Sequence, residues 1–316
     1  MKIIITGALG HIGSALIRAF KPGEHEKVVL LDDMSTQRYC SLFDLPKGVP
    51  YSFVEGDVLK EDLVRLFDGA DAVVHLAAIT NAAASFENQE QVERVNFQGT
   101  ELVARACAKV GARLVFLSTT SVYGVSEGIV DESCSEAGLN PQSPYATSKR
   151  NAEKLLVRLG EEEKLRFVTC RFGTIYGVSP GMRFHTAINK FVWQACMGTP
   201  LTVWRTALDQ KRPYLDLDDA VRAIHFFLDP KKDRFDNEIY NVLTDNTTVG
   251  DIVDRIRKLI PDTMVNLVDS RIMNQLSYTV ANEKVQKLGF EFEGNLERAI
   301  TRSVELLRNA NVRVAQ

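Results

Sequence analysis

Between an apolar run, Lys2 to Thr6, and a helical-period stretch, Ile12 to Phe20, the chain reads Gly7-Ala8-Leu9-Gly10-His11-Ile12-Gly13. Few local patterns constrain a fold as strongly. Three glycines at this spacing let the backbone turn tightly, approach a pyrophosphate and seat the helix against the sheet. The helix N-terminus then offers free N–H groups and a favourable dipole to phosphate. A glycine-rich turn alone says little; between a strand and a helix it carries a mechanism. The next strand-like run, Lys27 to Leu31, ends at Asp32-Asp33, with Asp32 nineteen residues beyond Gly13. A carboxylate there accepts hydrogen bonds from ribose hydroxyls and repels a 2′-phosphate. The pair predicts NAD as cofactor, held by Gly7, Gly10, His11, Ile12, Gly13 and Asp32. Arg38, in the following loop, leaves NADP open.

The rest of the first half repeats the alternation. Strands are expected at Tyr51 to Val54, Ala72 to Leu76, Arg113 to Leu117 and Arg166 to Arg171. Helices are expected at Glu61 to Phe67, Gln89 to Val110 and Tyr145 to Leu159. Strands separated by helices require parallel pairing through right-handed crossovers, hence an α/β fold with a Rossmann-type doubly wound parallel sheet. After Gly177 the punctuation changes, with Pro180-Gly181, Gly198-Thr199-Pro200 and Pro230-Lys231-Lys232 between shorter elements. This divides the chain into a dinucleotide-binding domain at 1–177 and a smaller substrate-binding lobe at 178–316. Some elements of the lobe are expected to return to the main sheet. Thr248 to Leu259 and Leu296 to Leu307 read as amphipathic helices, and Asn309 to Gln316 as a frayed tail.

Tyr145 and Lys149 are four residues apart at the start of a helix that follows Pro144, so both project from one face. A nearby ammonium, with the positive nicotinamide, favours the phenolate and suits Tyr145 to act as a general base. A hydroxyl cluster, Ser118-Thr119-Thr120-Ser121, follows the run Arg113 to Leu117. It falls at the carboxyl end of a parallel strand, where open α/β sheets bind ligands. A hydroxyl there can donate to the substrate oxygen as charge develops on it. Taken alone, the Tyr145-x-x-x-Lys149 pair reads more simply as two exposed helix residues, and the hydroxyl cluster has the plain reading of a turn rich in capping residues.

Together the motifs resemble the extended short-chain dehydrogenase/reductases, within the NAD-dependent epimerase/dehydratase group that acts on nucleotide sugars. The resemblance rests on Thr6-Gly7-x-x-Gly10-x-x-Gly13, Gly56-Asp57-Val58, His75-Leu76-Ala77-Ala78, Asn96-x-x-Gly99-Thr100, Ser118 to Gly124 and Tyr145-x-x-x-Lys149. It continues through Arg171-x-x-x-Ile175-Tyr176-Gly177 and Gln210-Lys211-Arg212-Pro213-Tyr214. It implies Thr119 as the active-site hydroxyl, Tyr145 as acid/base and Lys149 as its partner and a holder of the cofactor ribose. It also implies Asp57 and Val58 at the adenine, Leu76, Ala77 and Ala78 along the cofactor, and Asn96 near the lysine. On the substrate side it implies Arg212 on the diphosphate, where a guanidinium binds two oxygens at once. Thr120, Thr174, Arg183 and Asn189 are further substrate-side candidates.

Three departures from the family pattern sharpen the expectation. Thr174 stands where many members have asparagine, and Asp216 where histidine is frequent, which alters the local charge. Thr120 and Ser121 stand in place of the Asp-Glu pair of 4,6-dehydratases, and Ser121 in place of the cysteine of 3,5-epimerases of this fold. Simple redox at one carbon remains. The resemblance therefore implies a nucleotide-sugar epimerase working by transient oxidation, at C4. The alternative is a sugar dehydrogenase or ketosugar reductase with net NAD(H) turnover. A non-catalytic NAD-sensing or nucleic-acid-associated protein is a third reading, which intact Thr119, Tyr145 and Lys149 oppose.

Charge balance removes other classes. With 38 Lys plus Arg against 41 Asp plus Glu, nothing global favours nucleic acid or an anionic membrane as partner. The five cysteines are scattered, without a C-x-x-C pair, which fits a reducing compartment and predicts neither a disulfide framework nor a metal site. No apolar run reaches the length of a membrane span, so a cytoplasmic protein is expected. The family often dimerises through a four-helix bundle, and the stretches near 89–110 and 145–159 are expected to supply it in a homodimer.

Overall fold

The computed structural model describes residues 1–126, 128–230, 235–269, 277–308 and 310. The chain opens with β1 (Lys2–Thr6), α1 (His11–Ala19), β2 (Lys27–Asp32) and β3 (Tyr51–Glu55). Ile3, Ile4 and Ile5 are all buried, because helices cover both faces of this sheet and leave no solvent side for alternation. After α2 (Leu63–Phe67) the chain crosses back, and β4 (Ala72–His75) pairs with the other edge of β1. That reversal opens a crevice at the carboxyl ends of β1 and β4.

Next come α3 (Gln89–Glu93), a wide helical turn at Arg94–Gln98, α4 (Gly99–Val110) and β5 (Arg113–Thr119). A short β6 (Ile129–Val130) precedes α5 (Pro144–Glu163) and β7 (Phe167–Phe172). The second half runs β8 (Thr174–Tyr176), α6 (Ala187–Cys196), β9 (Leu201–Trp204), β10 (Lys211–Asp216), α7 (Leu217–Leu228) and β11 (Glu238–Val242). It ends with β12 (Asp245–Thr248), α8 (Val249–Leu259), β13 (Val265–Val268), β14 (Thr279–Val280), α9 (Glu283–Gln286) and α10 (Leu296–Leu307). The main sheet has seven parallel strands in the order β11-β7-β5-β4-β1-β2-β3. This is a Rossmann-type doubly wound sheet.

One face packs Ile3 and Ile5 against Leu16 of α1, Phe20 just after it, and Ile224 and Phe227 of α7. The other packs Ile4 and Phe116 against Val103 and Cys107 of α4 and Leu155 and Leu156 of α5. A third core joins Phe191, Val203, Ile252, Ile256 and Ile300 from α6, β9, α8 and α10. From the second half, α7 and β11 thus join the main sheet, whereas α6, α8 and α10 pack on one another.

Local departures from expectation have physical causes. The stretch Gln89 to Val110 is helical but contains a π turn at Arg94–Gln98, an irregularity that often accompanies a site. The strand expected to stop at Leu117 continues to Thr119. The helix expected from Glu61 starts at Leu63, because Asp62 accepts from the Arg65 N–H at 3.1 Å and caps it. Ser143 caps α5 in the same way, accepting from the Ala146 N–H at 3.2 Å, with Pro144 in the first turn. That helix runs on to Glu163, where Lys164 turns left-handed at φ +59°. The expected tail from Asn309 lies, but for Ala310, outside the described residues.

Candidate active site

The crevice above β1, β4 and β5 is a cleft of about 610 Å³ lined from both halves of the chain. At its floor Gly7 has φ +64°, and a Cβ there would lie 2.6 Å from the Ala77 nitrogen. Only glycine permits that approach. A Cβ on Gly13 would lie 2.4 Å from the Ala8 carbonyl oxygen, so this glycine lets α1 settle on the turn. A Cβ on Gly10 would lie 3.3 Å from the Gly7 carbonyl oxygen, and Gly10 precedes α1 without a side-chain cap. The free N–H groups there suit a pyrophosphate.

Asp32 lines the cleft, its two oxygens each accepting one backbone N–H, from Leu9 and Met34, both at 3.0 Å. Burial raises its pKa, and a carboxylate so placed retains lone pairs for ribose hydroxyls. Arg38 lines the same end, where Asp32 is its leading favourable charge. Ile12, Asp57, Val58, Leu76, Ala77 and Ala78 also line the cleft. A glycine cradle, an open helix N-terminus and a ribose-height carboxylate fit an NAD molecule.

His11 lines this end too, but its ring serves the fold. Its Nε2–H donates to the Gly177 carbonyl at 3.0 Å, while burial pushes the imidazole down to about 3 and keeps it neutral. Ser179 donates to the His11 carbonyl at 2.9 Å, and the Gly181 N–H to Ser14 Oγ at 2.9 Å. These bonds clasp the 177–181 loop onto the glycine loop. His11 is buried, so contact with a cofactor is left to its backbone.

At the far end Tyr145 and Thr119 meet, the Thr119 hydroxyl favouring the phenolate. Burial raises the phenol's pKa, and the cation that opposes this is Arg183. Arg183 reaches over from the 177–186 segment and donates to Thr80 Oγ1. Its Nε is buried without a partner. Lys149 directs Nζ at the Leu117 carbonyl, 2.8 Å away, and lies 4.7 Å from the Phe116 ring centroid. Arg183 is thus the leading positive charge acting on the phenol in this structure.

Several expected residues stand behind the cleft wall. Asn96 does not line the cleft: its amide holds Ile79, accepting from N–H at 2.8 Å and donating to C=O at 2.9 Å, and donates to Ser148 Oγ at 3.2 Å. It fixes the loop after β4 to the first turn of α5. His75 lies behind it, accepting from Thr6 Oγ1 at 2.7 Å and donating to Thr100 Oγ1 at 3.1 Å. Thr120 turns away, its hydroxyl 3.4 Å from the Phe172 carbonyl. Asn189 is buried, with its amide bonded to the Gly177 N–H and the Arg183 carbonyl, at 3.2 and 3.0 Å. It shapes the segment that carries Arg183. Asp216, expected to alter local charge, caps α7 through the Asp218 N–H at 2.9 Å and lies outside the lining.

Thr174, Arg183 and Arg212 do line the cleft. So do Thr80, His185, Lys190 and Tyr278, which sequence reasoning missed. Tyr278 lies far along the chain from any motif, held by its N–H to the Lys211 carbonyl at 3.1 Å. No local spacing announces it. Among the described residues, the carboxylates of the lining are Asp32, Asp33 and Asp57, all at the glycine-loop end.

Comparison with known proteins agrees with this geometry. The model of the NAD dependent epimerase/dehydratase family matches residues 3–242. A trifunctional UDP-glucose 4,6-dehydratase/UDP-4-keto-6-deoxy-D-glucose 3,5-epimerase/UDP-4-keto-L-rhamnose-reductase of Arabidopsis thaliana is 31% identical, over 96% of this chain and 47% of its own. The chain thus spans about half the length of that relative. An uncharacterized UDP-glucose epimerase of Bacillus subtilis is 33% identical over 71% of each chain. A UDP-glucuronic acid 4-epimerase from Bacillus cereus, solved with UDP-glucuronic acid and NAD, superposes with a TM-score of 0.88 at 25% identity, covering 98% of this chain and 100% of that one. The chain belongs to the NAD-dependent epimerase/dehydratase family and is an enzyme of the extended short-chain dehydrogenase/reductase type, with NAD as its cofactor.

Proposed function

We propose that the protein is a nucleotide-sugar epimerase that oxidises one sugar carbon, C4, and reduces it again on the opposite face. One observation carries this choice over dehydration: around the Tyr145 phenol the lining supplies hydroxyls and a guanidinium, from Thr119, Thr80 and Arg183, and no carboxylate among the described residues. Elimination of water needs an acid and a base beside the ring; a redox inversion needs one proton acceptor and one hydroxyl donor.

NAD, when bound, supplies a two-electron acceptor that returns what it takes. Gly7, Gly10, Gly13 and Asp32 would hold it, with Lys149 at its ribose. Tyr145, as phenolate under the Arg183 charge, accepts the proton of the C4 hydroxyl. Thr119 donates to the same oxygen as its bond order rises, and Tyr145 returns the proton after the 4-keto sugar has turned over in the cleft. Arg212 holds the nucleotide diphosphate, with Thr174 beside the sugar.

A substrate deuterated at C4 tests the reading. The expected product is the C4 epimer with the label retained on that carbon and a rate lowered by the isotope. Epimer with the label lost to solvent, or an unlabelled rate at C4, contradicts it.

The assembly belongs to the same proposal. Leu102 on α4 and Val157 on α5 are 43% and 44% exposed, and the two helices pack side by side. Pairing these faces about a two-fold axis gives a four-helix homodimer. Light scattering is expected to show a dimer at micromolar concentration; a monomer rules the assembly out.

A further inference from the structure

One helical turn beyond Lys149 lies a buried ion pair that the chemistry above leaves unused. Glu153 follows Lys149 by four residues on α5, so the two project together toward the sheet. They are 3% and 4% exposed. From β7 Arg171 grips Glu153 with two prongs, Nε to Oε1 at 3.0 Å and Nη2 to Oε2 at 2.7 Å. Ser118, the neighbour of Thr119, donates to Oε1 as well. The third prong of Arg171 donates at 2.9 Å to Tyr123 Oη, which donates at 2.9 Å to Asn241 Oδ1. Glu153 is therefore fixed in place, one turn from the active-site amine.

Lys149 has much less to hold its charge. Its ammonium has three donors, and the contacts at Nζ are the Leu117 carbonyl and the Phe116 ring. Burial pushes it down to about 7, with Glu153 opposing the fall. The other titratable groups around it give no anion. His75, facing it from β4, is a neutral imidazole, and Arg171 stands behind Glu153; the phenol of Tyr145, its neighbour on α5, is an anion only in the reacting state.

We infer that Glu153, clamped by Arg171 and Ser118, is the counter-charge that keeps the Lys149 amine protonated, a positioning residue that acts through Lys149. The inference rests on Lys149 as an active-site residue; the test reads the amine directly. Protein labelled at lysine Cε and Nζ is titrated by NMR, the Lys149 resonance being identified by its loss in Lys149→Met. In Glu153→Gln the Lys149 titration is expected to fall by about one unit or more, and the alkaline limb of the turnover profile to move down with it. Glu153→Gln leaves Arg171 unpaired, so Glu153→Gln/Arg171→Met, which buries no lone charge, repeats the reading in a neutral pocket. The same downward direction is expected. An unchanged Lys149 titration in both overturns the inference, even if turnover falls. A wild type that turns over no nucleotide sugar overturns the proposed reaction and leaves the titration readable.

Discussion

Tyr145 sits where burial and charge oppose each other; burial prevails, and Arg183 is the leading charge against it. Burial raises the phenol's pKa; the Arg183 guanidinium and the Thr119 hydroxyl lower it. The reactive form is the phenolate, so the acid limb of turnover reports this balance. In Arg183→Met the limb is expected to move to higher pH, by about one unit or more, in a kcat/KM profile. An unmoved limb would assign Arg183 to some other task.

Residue identity was readable here to differing depths. Gly7, Gly13, Asp32, Tyr145 and Lys149 could be placed at the cleft from spacing within one strand, turn or helix. Thr119 and Thr120 show where spacing stops helping. Adjacent side chains at a strand end point to opposite sides, and only the register of β5 against β7 puts Thr119 in the cleft and Thr120 against Phe172. Asn96 and Asn189 fail as contact residues for a related reason. An amide that can bind a ligand can equally satisfy buried backbone, and both do so.

At the scale of elements, the coupling that matters joins the glycine loop to the segment after β8. Gly181 lies so close that a Cβ would come 2.4 Å from the Leu9 carbonyl oxygen and 2.5 Å from that of Gly10. Arg183 follows two residues later, so the clasp made by His11, Ser14 and Ser179 also sets where that guanidinium stands. Gly181→Ala must lift the segment. The expected result is a loss of about 10²-fold in kcat/KM from misplacement alone, with a higher KM for NAD; steady-state kinetics check both. Unchanged kinetics would mean the clasp is structural only. The sequence showed strands and helices of the first half well, because a doubly wound sheet writes continuous apolar runs. It hid the π turn at Arg94–Gln98, since the same apolar spacing suits a plain helix.

For the molecule as a whole, buried neutral histidines set the response to acid. His11 and His75 are both pushed down to about 3 from 6.5 by burial. Their contribution is complete above pH 6.5 and is lost as pH falls toward 3, because the unfolded chain takes up the protons first. Each adds a slope of about 1.4 kcal/mol per pH unit in that window. Asp216, pushed up to about 6 from 3.8, has the opposite sign, stabilising more as pH falls from 6 to 3.8. It offsets about one histidine. His75→Gln isolates the term: urea unfolding between pH 5 and 6.5 is expected to lose about one proton's worth of slope. A parallel curve for the variant would place the acid response elsewhere.

No helix among the described residues is long and apolar enough to cross a membrane, and the cleft opens where α6, β9 and β10 meet the main sheet. Inversion without net redox is read from turnover itself. Purified protein is incubated with NAD and a panel of nucleotide sugars including UDP-glucose and UDP-glucuronic acid, and products are followed by NMR, mass spectrometry and NADH absorbance. The expected product is the C4 epimer with no accumulating NADH, at a rate lowered in Tyr145→Phe by about 10²–10⁴-fold. A ketosugar formed with stoichiometric NADH, or a dehydrated 4-keto-6-deoxy sugar, would contradict it.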